Sequence, residues 1–337
     1  MNSETLHATA KAMVAPAKGI LAMDESKPTC DKRFAKLGIP TTEENRKSYR
    51  STLVTTPNIE QYISAAILFD ETIRQQTDDG VPFAKHLEAR GIIPGIKVDQ
   101  GAKALAGYEG EKITEGLDGL RERLKEYAEM GARFAKWRAV ITIGGDMPSS
   151  ACIHANAHAL ARYAALCQEQ NIVPIVEPEV LMDGHHSIED CYEVSECTQS
   201  EVFCELRTQG VLLSGIVLKP NMVLSGSDCP DQADVSTVAE RTLTCLKSTV
   251  PAAVPGIAFL SGGQSDEKAT AHLDAINRLA ASEGAPWRLT FSYGRGLQQQ
   301  AMKLWGESRT DEAQQTFGEL AHLNSQASEG IYQSPDN

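Results

Sequence analysis

Eight predominantly apolar runs recur along the chain: GILAMD at 19–24, YISAAILF at 62–69, IPGIKVD at 93–99, ARFAKWRAVI at 132–141, IVPIVEPEV at 172–180, SGIVLKPNMV at 214–223, GIAFLSGG at 256–263 and WRLTFSYG at 287–294. Their lengths and β-branched content predict strands. Between them lie segments with helical periodicity. Leu117, Leu120, Leu124 and Tyr127 share one helical face, as do Leu160, Tyr163, Ala164 and Cys167, and Ala269, Leu273, Ile276 and Ala280. Several strand runs are nearly continuously apolar rather than alternating, which parallel strands covered by helices require. Eight β-then-α units predict an α/β fold, a (β/α)₈ TIM barrel, with a doubly wound open sheet as the alternative.

The polar residues within those runs favour the barrel. Five runs end in charge: GIKVD, FAKWR, IVPIVEPE, GIVLKP and FSYGRG. In a barrel the functional site forms at the C-terminal ends of many strands, whereas an open sheet gathers it at one switch point. Side chains two apart on a strand face the same way, so Lys97 with Asp99, Lys136 with Arg138, and Glu177 with Glu179 point in pairs into one cavity. Burying so many charges is costly unless they pair or act, which marks a functional site.

Composition narrows the partners. A hydrophobic share of 42% over 337 residues supports a sizeable core, and no composition shift divides the chain, so 1–337 is expected to be one barrel domain. A short tail from about residue 325, rich in Ser, Gly and Pro, is expected to be loose. The net charge of −13 argues against nucleic acid or an anionic membrane as partner, so any anion site must be locally basic. Eight scattered cysteines form no C-x-x-C pair, and free thiols in a reducing compartment are expected. His154 and His158 are spaced i, i+4 without an obvious third ligand, and no metal site is expected from them. The N-terminus carries no secretory or transit pattern, which predicts a cytoplasmic protein, or a plastid stromal one after removal of a leader.

The charged strand ends suggest imine chemistry. Lys219 follows GIVL and precedes Pro220, so its amine lies partly desolvated at a strand end, where burial and a second cation at Lys136 lower its pKa and make it nucleophilic. Glu177 between the two lysines can donate and accept protons; Glu179 is expected to orient Lys136 through an ion pair. Asp24 in AMDES faces the same cavity. The turns FLSGGQS, with Ser261, Gly262 and Gly263, and FSYGRG, with Ser292, Gly294 and Arg295, offer backbone N–H groups and a guanidinium to phosphate. A second basic group, Lys32, Arg33, Arg46 and Lys97, can take a second phosphate.

In order, LAMDES, TEENR, GIKVD, GLDGL, FAKWR, IVPIVEPE, LKPNM, FLSGGQS and FSYGR resemble class I fructose-1,6-bisphosphate aldolase from near the N-terminus to about residue 305. The resemblance implies a barrel, usually a homotetramer, that cleaves the sugar bisphosphate to dihydroxyacetone phosphate and glyceraldehyde 3-phosphate through a lysine imine, without metal or other cofactor. By motif, Lys219 matches the imine-forming lysine, Glu177 the main acid/base and Asp24 the group that takes the C4 hydroxyl proton, with Lys136 and Glu179 in support. Ser261, Gly262, Gly263, Ser292, Gly294 and Arg295 match the phosphate site on the dihydroxyacetone side. Lys32, Arg33, Arg46, Lys97 and Arg138 match positions at the sugar's far end.

Two departures stand out. DESKPT at 24–29 differs from the DESTGS of animal members and is closer to the plastid-type MDESNATC, so recognition of the second phosphate is expected to differ. The chain ends in SEGIYQSPDN, where many members continue to a terminal tyrosine that assists proton transfer, and Tyr332 comes too early to match it. Two other functions compete: a Schiff-base aldolase acting mainly on sedoheptulose 1,7-bisphosphate, and a non-enzymatic scaffold, which the presence of Lys219, Glu177 and Asp24 disfavours.

Overall fold

A computed structural model describes residues 1–333 of the chain. Its strands, in chain order, are β1 (Gly19–Ala22), β2 (Ile63–Leu68), β3 (Ile93–Lys97), β4 (Ala102–Ala104), β5 (Lys112–Thr114), β6 (Phe134–Ile141), β7 (Val173–Val180), β8 (Val217–Leu218), β9 (Gly256–Phe259) and β10 (Arg288–Tyr293). Eight of them close a parallel barrel in the order β1-β10-β9-β8-β7-β6-β3-β2. These eight are the apolar runs of the sequence. The antiparallel β4–β5 hairpin is an addition between β3 and the helix Leu120–Glu129.

Strand alternation explains the interior. Ile20 and Ala22, Ala65 and Ile67, Val173 and Ile175, with Phe134, Val217 and Ala258, fill the lower barrel and pack against Leu6, Ala10, Met13 and Val14. Leu6, Ala10 and Met13 belong to the first helix, Ser3–Met13, which is started by Asn2, whose side chain accepts from the backbone of Glu4 and Thr5. That helix covers the N-terminal mouth. Space inside is tight: a Cβ on Gly95 would stand 2.3 Å from the ring of Phe134, its register partner. The outward strand residues form the larger core with the surrounding helices, including Trp137, Tyr163, Phe259 and Phe291.

Continuing up the same inward face, Phe134 is followed by Lys136 and Arg138, Ile175 by Glu177 and Glu179, Val217 by Lys219, and Ala22 by Asp24. The floor of the barrel is apolar and its C-terminal rim is charged.

Two expectations change. Leu117 precedes the helix it was expected to join, because Gly119 in the left-handed region (φ 67°) starts that helix at Leu120. The end of the chain is ordered as far as it is described. The helix Thr310–Ala327 runs through residue 325, Ser325 Oγ donates to the Ala17 carbonyl at 2.7 Å, and the Tyr332 N–H donates to Asp274 at 2.8 Å. The rest of the expected tail, 334–337, lies outside the described residues. All eight cysteines are free thiols, and among the described residues no helix is long and apolar enough to cross a membrane.

Candidate active site

Lys219 sits one residue past the short β8, its N–H donating to the Val176 carbonyl at 2.8 Å and its side chain 4% exposed. Its Nζ is 3.3 Å from Glu177 Oε1. Glu177 Oε2 lies 3.1 Å from Lys136 Nζ, which donates to Asp24 Oδ2 at 3.0 Å. Four buried groups, two cationic and two anionic, therefore form one chain across β8, β7, β6 and the end of β1. Their opposite charges offset much of the cost of taking them from water.

The two lysines are not equivalent. Burial works against both ammonium groups, yet Lys136 is held between two carboxylates, Asp24 and Glu177, which overcome it and raise its pKa above the ordinary value. Lys219 has one carboxylate neighbour, at a longer distance, and the positive Lys136 nearby. Desolvation wins there, and its pKa falls below the ordinary 10.5. Burial disfavours the charge on Asp24 too, but Lys136 and Lys219 outweigh it and bring its pKa to about 2. At neutral pH Lys136 keeps its proton, Asp24 is ionised, and Lys219 is the amine most readily deprotonated.

Around this chain opens a cavity of about 390 Å³ lined by Asp24, Lys97, Lys136, Arg138, Glu177, Glu179, Lys219, Ser261, Gly262, Gly263, Ser292, Gly294, Arg295 and Arg33. At one side Gly262 and Gly263 adopt left-handed φ of 61° and 98°, which glycine permits without strain. A Cβ on Gly263 would stand 3.0 Å from Arg295 Nη2, so the bare backbone lets the guanidinium close in. Among the described residues the buried Ser292 hydroxyl has no hydrogen-bond partner. Arg295 opens the helix Arg295–Gly306, whose N-terminal dipole adds to the local positive potential. At the other side, Lys97 Nζ donates to Asp99 Oδ1 at 2.6 Å, and the Asp99 Oδ2 accepts from the Arg138 N–H at 3.3 Å.

Three sequence assignments are corrected. Glu179 pairs with Arg138 rather than with Lys136. Both glutamates face inward, and in the β6–β7 register Glu177 stands opposite Arg138 and Glu179 opposite Val140, so each reaches the cation one inward step below its register partner: Glu177 takes Lys136 and Glu179 takes Arg138. Arg46 does not reach the cavity. It is buried in the helix Glu43–Val54, with Nε and Nη2 donating to Glu71 at 2.8 and 2.7 Å and Nη1 to Asp31 at 2.8 Å. Lys32 does not line the cavity either: successive residues on the helix Lys27–Lys36 point about 100° apart, so Arg33 faces the cavity while Lys32 lines, with Lys36 and Lys303, an adjoining groove that shares Arg33 and Arg295 with it.

The occupied fork of Arg46 makes a distinction measurable. Arg46→Met is expected to cost about 2 kcal/mol or more, because Asp31 loses the guanidinium it pairs with and Glu71 keeps only the more distant Arg50, at 3.5 Å, while leaving the KM for a phosphorylated substrate unchanged. Chemical denaturation and steady-state kinetics on one preparation test both; a raised KM with unchanged stability would return Arg46 to the site.

Sequence inspection missed Glu25, Ser26 and Asp183, which also line the cavity. Glu25 pairs with Arg33 at 2.5 Å. Its place next to Asp24 predicts the opposite face by strand alternation, but β1 ends at Ala22 and alternation ends with it. Tyr332 sits against the helix Asp266–Ser282, where its carbonyl accepts from Arg278 at 3.0 Å.

Residues 5–337 match the family described as fructose-bisphosphate aldolase class-I. The chain is 61% identical over 333 residues to a probable fructose-bisphosphate aldolase class 1 of Xanthomonas campestris pv. campestris, covering 98% of this chain and 99% of the relative. It is 51% identical over 319 residues to fructose-bisphosphate aldolase 4, cytosolic, of Arabidopsis thaliana, covering 94% of this chain and 81% of that one. In three dimensions it resembles the fructose-bisphosphate aldolase of Plasmodium falciparum, solved in complex with TRAP and a small molecule inhibitor, with a TM-score of 0.96 and 46% identity over 98% of this chain and 96% of that one. With its closed barrel and its buried lysine beside two carboxylates and a second lysine, the chain belongs to the class I fructose-bisphosphate aldolase family.

Proposed function

We propose that Lys219 is the nucleophile of this aldolase, forming an imine with the C2 carbonyl of fructose 1,6-bisphosphate. The difference between the two buried lysines carries the assignment: Lys136 holds its proton between two carboxylates, whereas Lys219 has a lowered pKa and one partner. The neutral amine adds to C2. The proton that Lys219 gave up beforehand sits on Glu177, 3.3 Å away; the proton left surplus on nitrogen after the addition moves to the new C2 alkoxide, and Glu177 then protonates that hydroxyl, which leaves as water. The resulting iminium draws electrons from the C3–C4 bond as ionised Asp24 takes the C4 hydroxyl proton. Glyceraldehyde 3-phosphate departs, and the enamine is protonated at C3 before hydrolysis frees dihydroxyacetone phosphate and Lys219. Lys136 stays charged and holds Asp24 and Glu177 in place throughout.

The substrate's two anionic ends suit the two basic sides of the cavity. Ser261, Gly262, Gly263, Ser292, Gly294 and Arg295 take the phosphate nearest C2, and Lys97, Arg138 and Arg33 face the far phosphate. This local basicity, within a chain of net charge −13, favours a bisphosphate over a neutral sugar. We also propose that the enzyme works in the cytoplasm as a homotetramer, the compartment being supported by the relative named cytosolic.

The test is trapping. Incubation with fructose 1,6-bisphosphate and borohydride in EDTA is expected to place a stable adduct on the Lys219 peptide as activity falls. An adduct confined to another lysine, or no adduct with activity that EDTA removes, would overturn the assignment. Size-exclusion chromatography with light scattering tests the tetramer, which a monomeric or dimeric mass would exclude.

A further inference from the structure

Outside the barrel, two helices follow β6 and β7: Ser150–Glu169 and Ile188–Thr208. Both lead away from the C-terminal ends of neighbouring parallel strands, so they lie side by side and run the same way. His154 and His158 stand one turn apart on the first helix, and Glu201 and Glu205 one turn apart on the second. His154 Nδ1 is 2.7 Å from Glu201 Oε1, and His158 Nδ1 is 2.8 Å from Glu205 Oε2. Each pair spans 47 residues, the equal offset that parallel helices demand. Glu205 Oε1 also lies 4.0 Å from His154 Nδ1, which ties the two pairs together.

The sequence offered His154 and His158 no third ligand. The fold supplies two from a helix far along the chain, and one donor atom each from His154, Glu201 and Glu205 falls within 4.8 Å of the others. Donors about 2.0–2.2 Å from a tetrahedral Zn²⁺ are closer together than this, and rotation of surface side chains spans the difference. The imidazole rings are nearly parallel, 22° apart, with centroids separated by 6.4 Å. Glu205 is largely buried at 11% side-chain exposure and anchors the group, while His154, at 63%, leaves it open to an ion from solvent.

We propose that His154, His158, Glu201 and Glu205 form a structural binding site for a divalent transition-metal ion of the Zn²⁺ class. Two neutral imidazoles and two carboxylates make a borderline donor set that suits Zn²⁺ better than Mg²⁺ or Ca²⁺. Two helix-borne ligand pairs facing each other are a recurrent way to build such a site. The ion would clamp the two helices that back β6 and β7, the strands bearing Lys136, Arg138, Glu177 and Glu179, without touching the reacting groups. Simple His–Glu pairing is the competing account, and it predicts no stoichiometric metal affinity.

The experiment uses the full-length enzyme stripped with EDTA and alkylated, since Cys197 and Cys204 are exposed on the second helix and thiolates also take zinc. Calorimetric titration with ZnCl₂ in a non-coordinating buffer is expected to show one ion per chain and a melting temperature that rises with zinc. His154→Ala, at an exposed position, and His158→Ala, at a partly buried one, should each weaken binding by about tenfold or more and abolish the thermal shift. Their unchanged aldolase rate would show that they fold. Mg²⁺ should produce neither effect. Absence of saturable binding, or binding indifferent to both substitutions, would overturn the proposal.

Discussion

Lys219→Met is expected to lower fructose 1,6-bisphosphate cleavage by about 10⁴-fold or more, the scale of losing a covalent nucleophile, with little loss of fold. Methionine is close to lysine in length and shape, and the site already withholds water, with Lys219 only 4% exposed. The group left behind is not orphaned, because Glu177 still has Lys136 at 3.1 Å. Lys136 cannot replace the lost amine: Asp24 and Glu177 hold its proton, and a protonated amine has no lone pair to give. The variant should therefore melt close to the parent and give no borohydride adduct. Residual turnover with an adduct on Lys136 would show that the division between the lysines is wrong. In the parent enzyme, the rate of adduct formation should rise with pH as Lys219 loses its proton and level off below 10.5.

The barrel was legible because it depends on local pattern. Each parallel strand is short, apolar and bounded by polar residues, and the change from Phe134 to Lys136, or from Ile175 to Glu177, marks the height at which the interior stops being core. Same-face placement of Glu177 and Glu179 follows from the strand period. Which of them meets Lys136 depends on the stagger between β6 and β7, a property of barrel closure that neither strand carries alone. The same limit applies to Arg46 and Lys32. Their charge says nothing of direction, which is set by helix rotation and by acceptors elsewhere, Glu71 and Asp31 for Arg46. The His154 cluster was invisible for a related reason, since its carboxylates arrive from the next helix in the sheath. Helical order through residue 325 likewise depends on contacts such as the Ala17 carbonyl that composition cannot reveal.

Asp24→Asn separates imine formation from bond cleavage. Cleavage is expected to fall by about 10² to 10⁴-fold, the range for removing a positioned base, while Lys219 and Glu177 remain to condense with the sugar. Borohydride should then trap an adduct with the mass of the intact hexose bisphosphate, where the parent also yields the triose phosphate adduct. The substitution acts on stability with a defined sign. Because the folded pKa of Asp24, about 2, lies below the ordinary 3.8, ionised Asp24 stabilises the fold above pH 3.8, and that contribution is lost as pH falls through about 2. Asparagine should cost about 2 kcal/mol at neutral pH, and the gap between variant and parent should narrow on acidification. A triose adduct forming at the parent's rate would remove Asp24 as the base. Loss of every adduct would instead make it a partner in imine formation, because Asp24 is hydrogen-bonded to Lys136 rather than to Lys219, and removing its charge, which holds the Lys219 pKa up, should leave the nucleophile working.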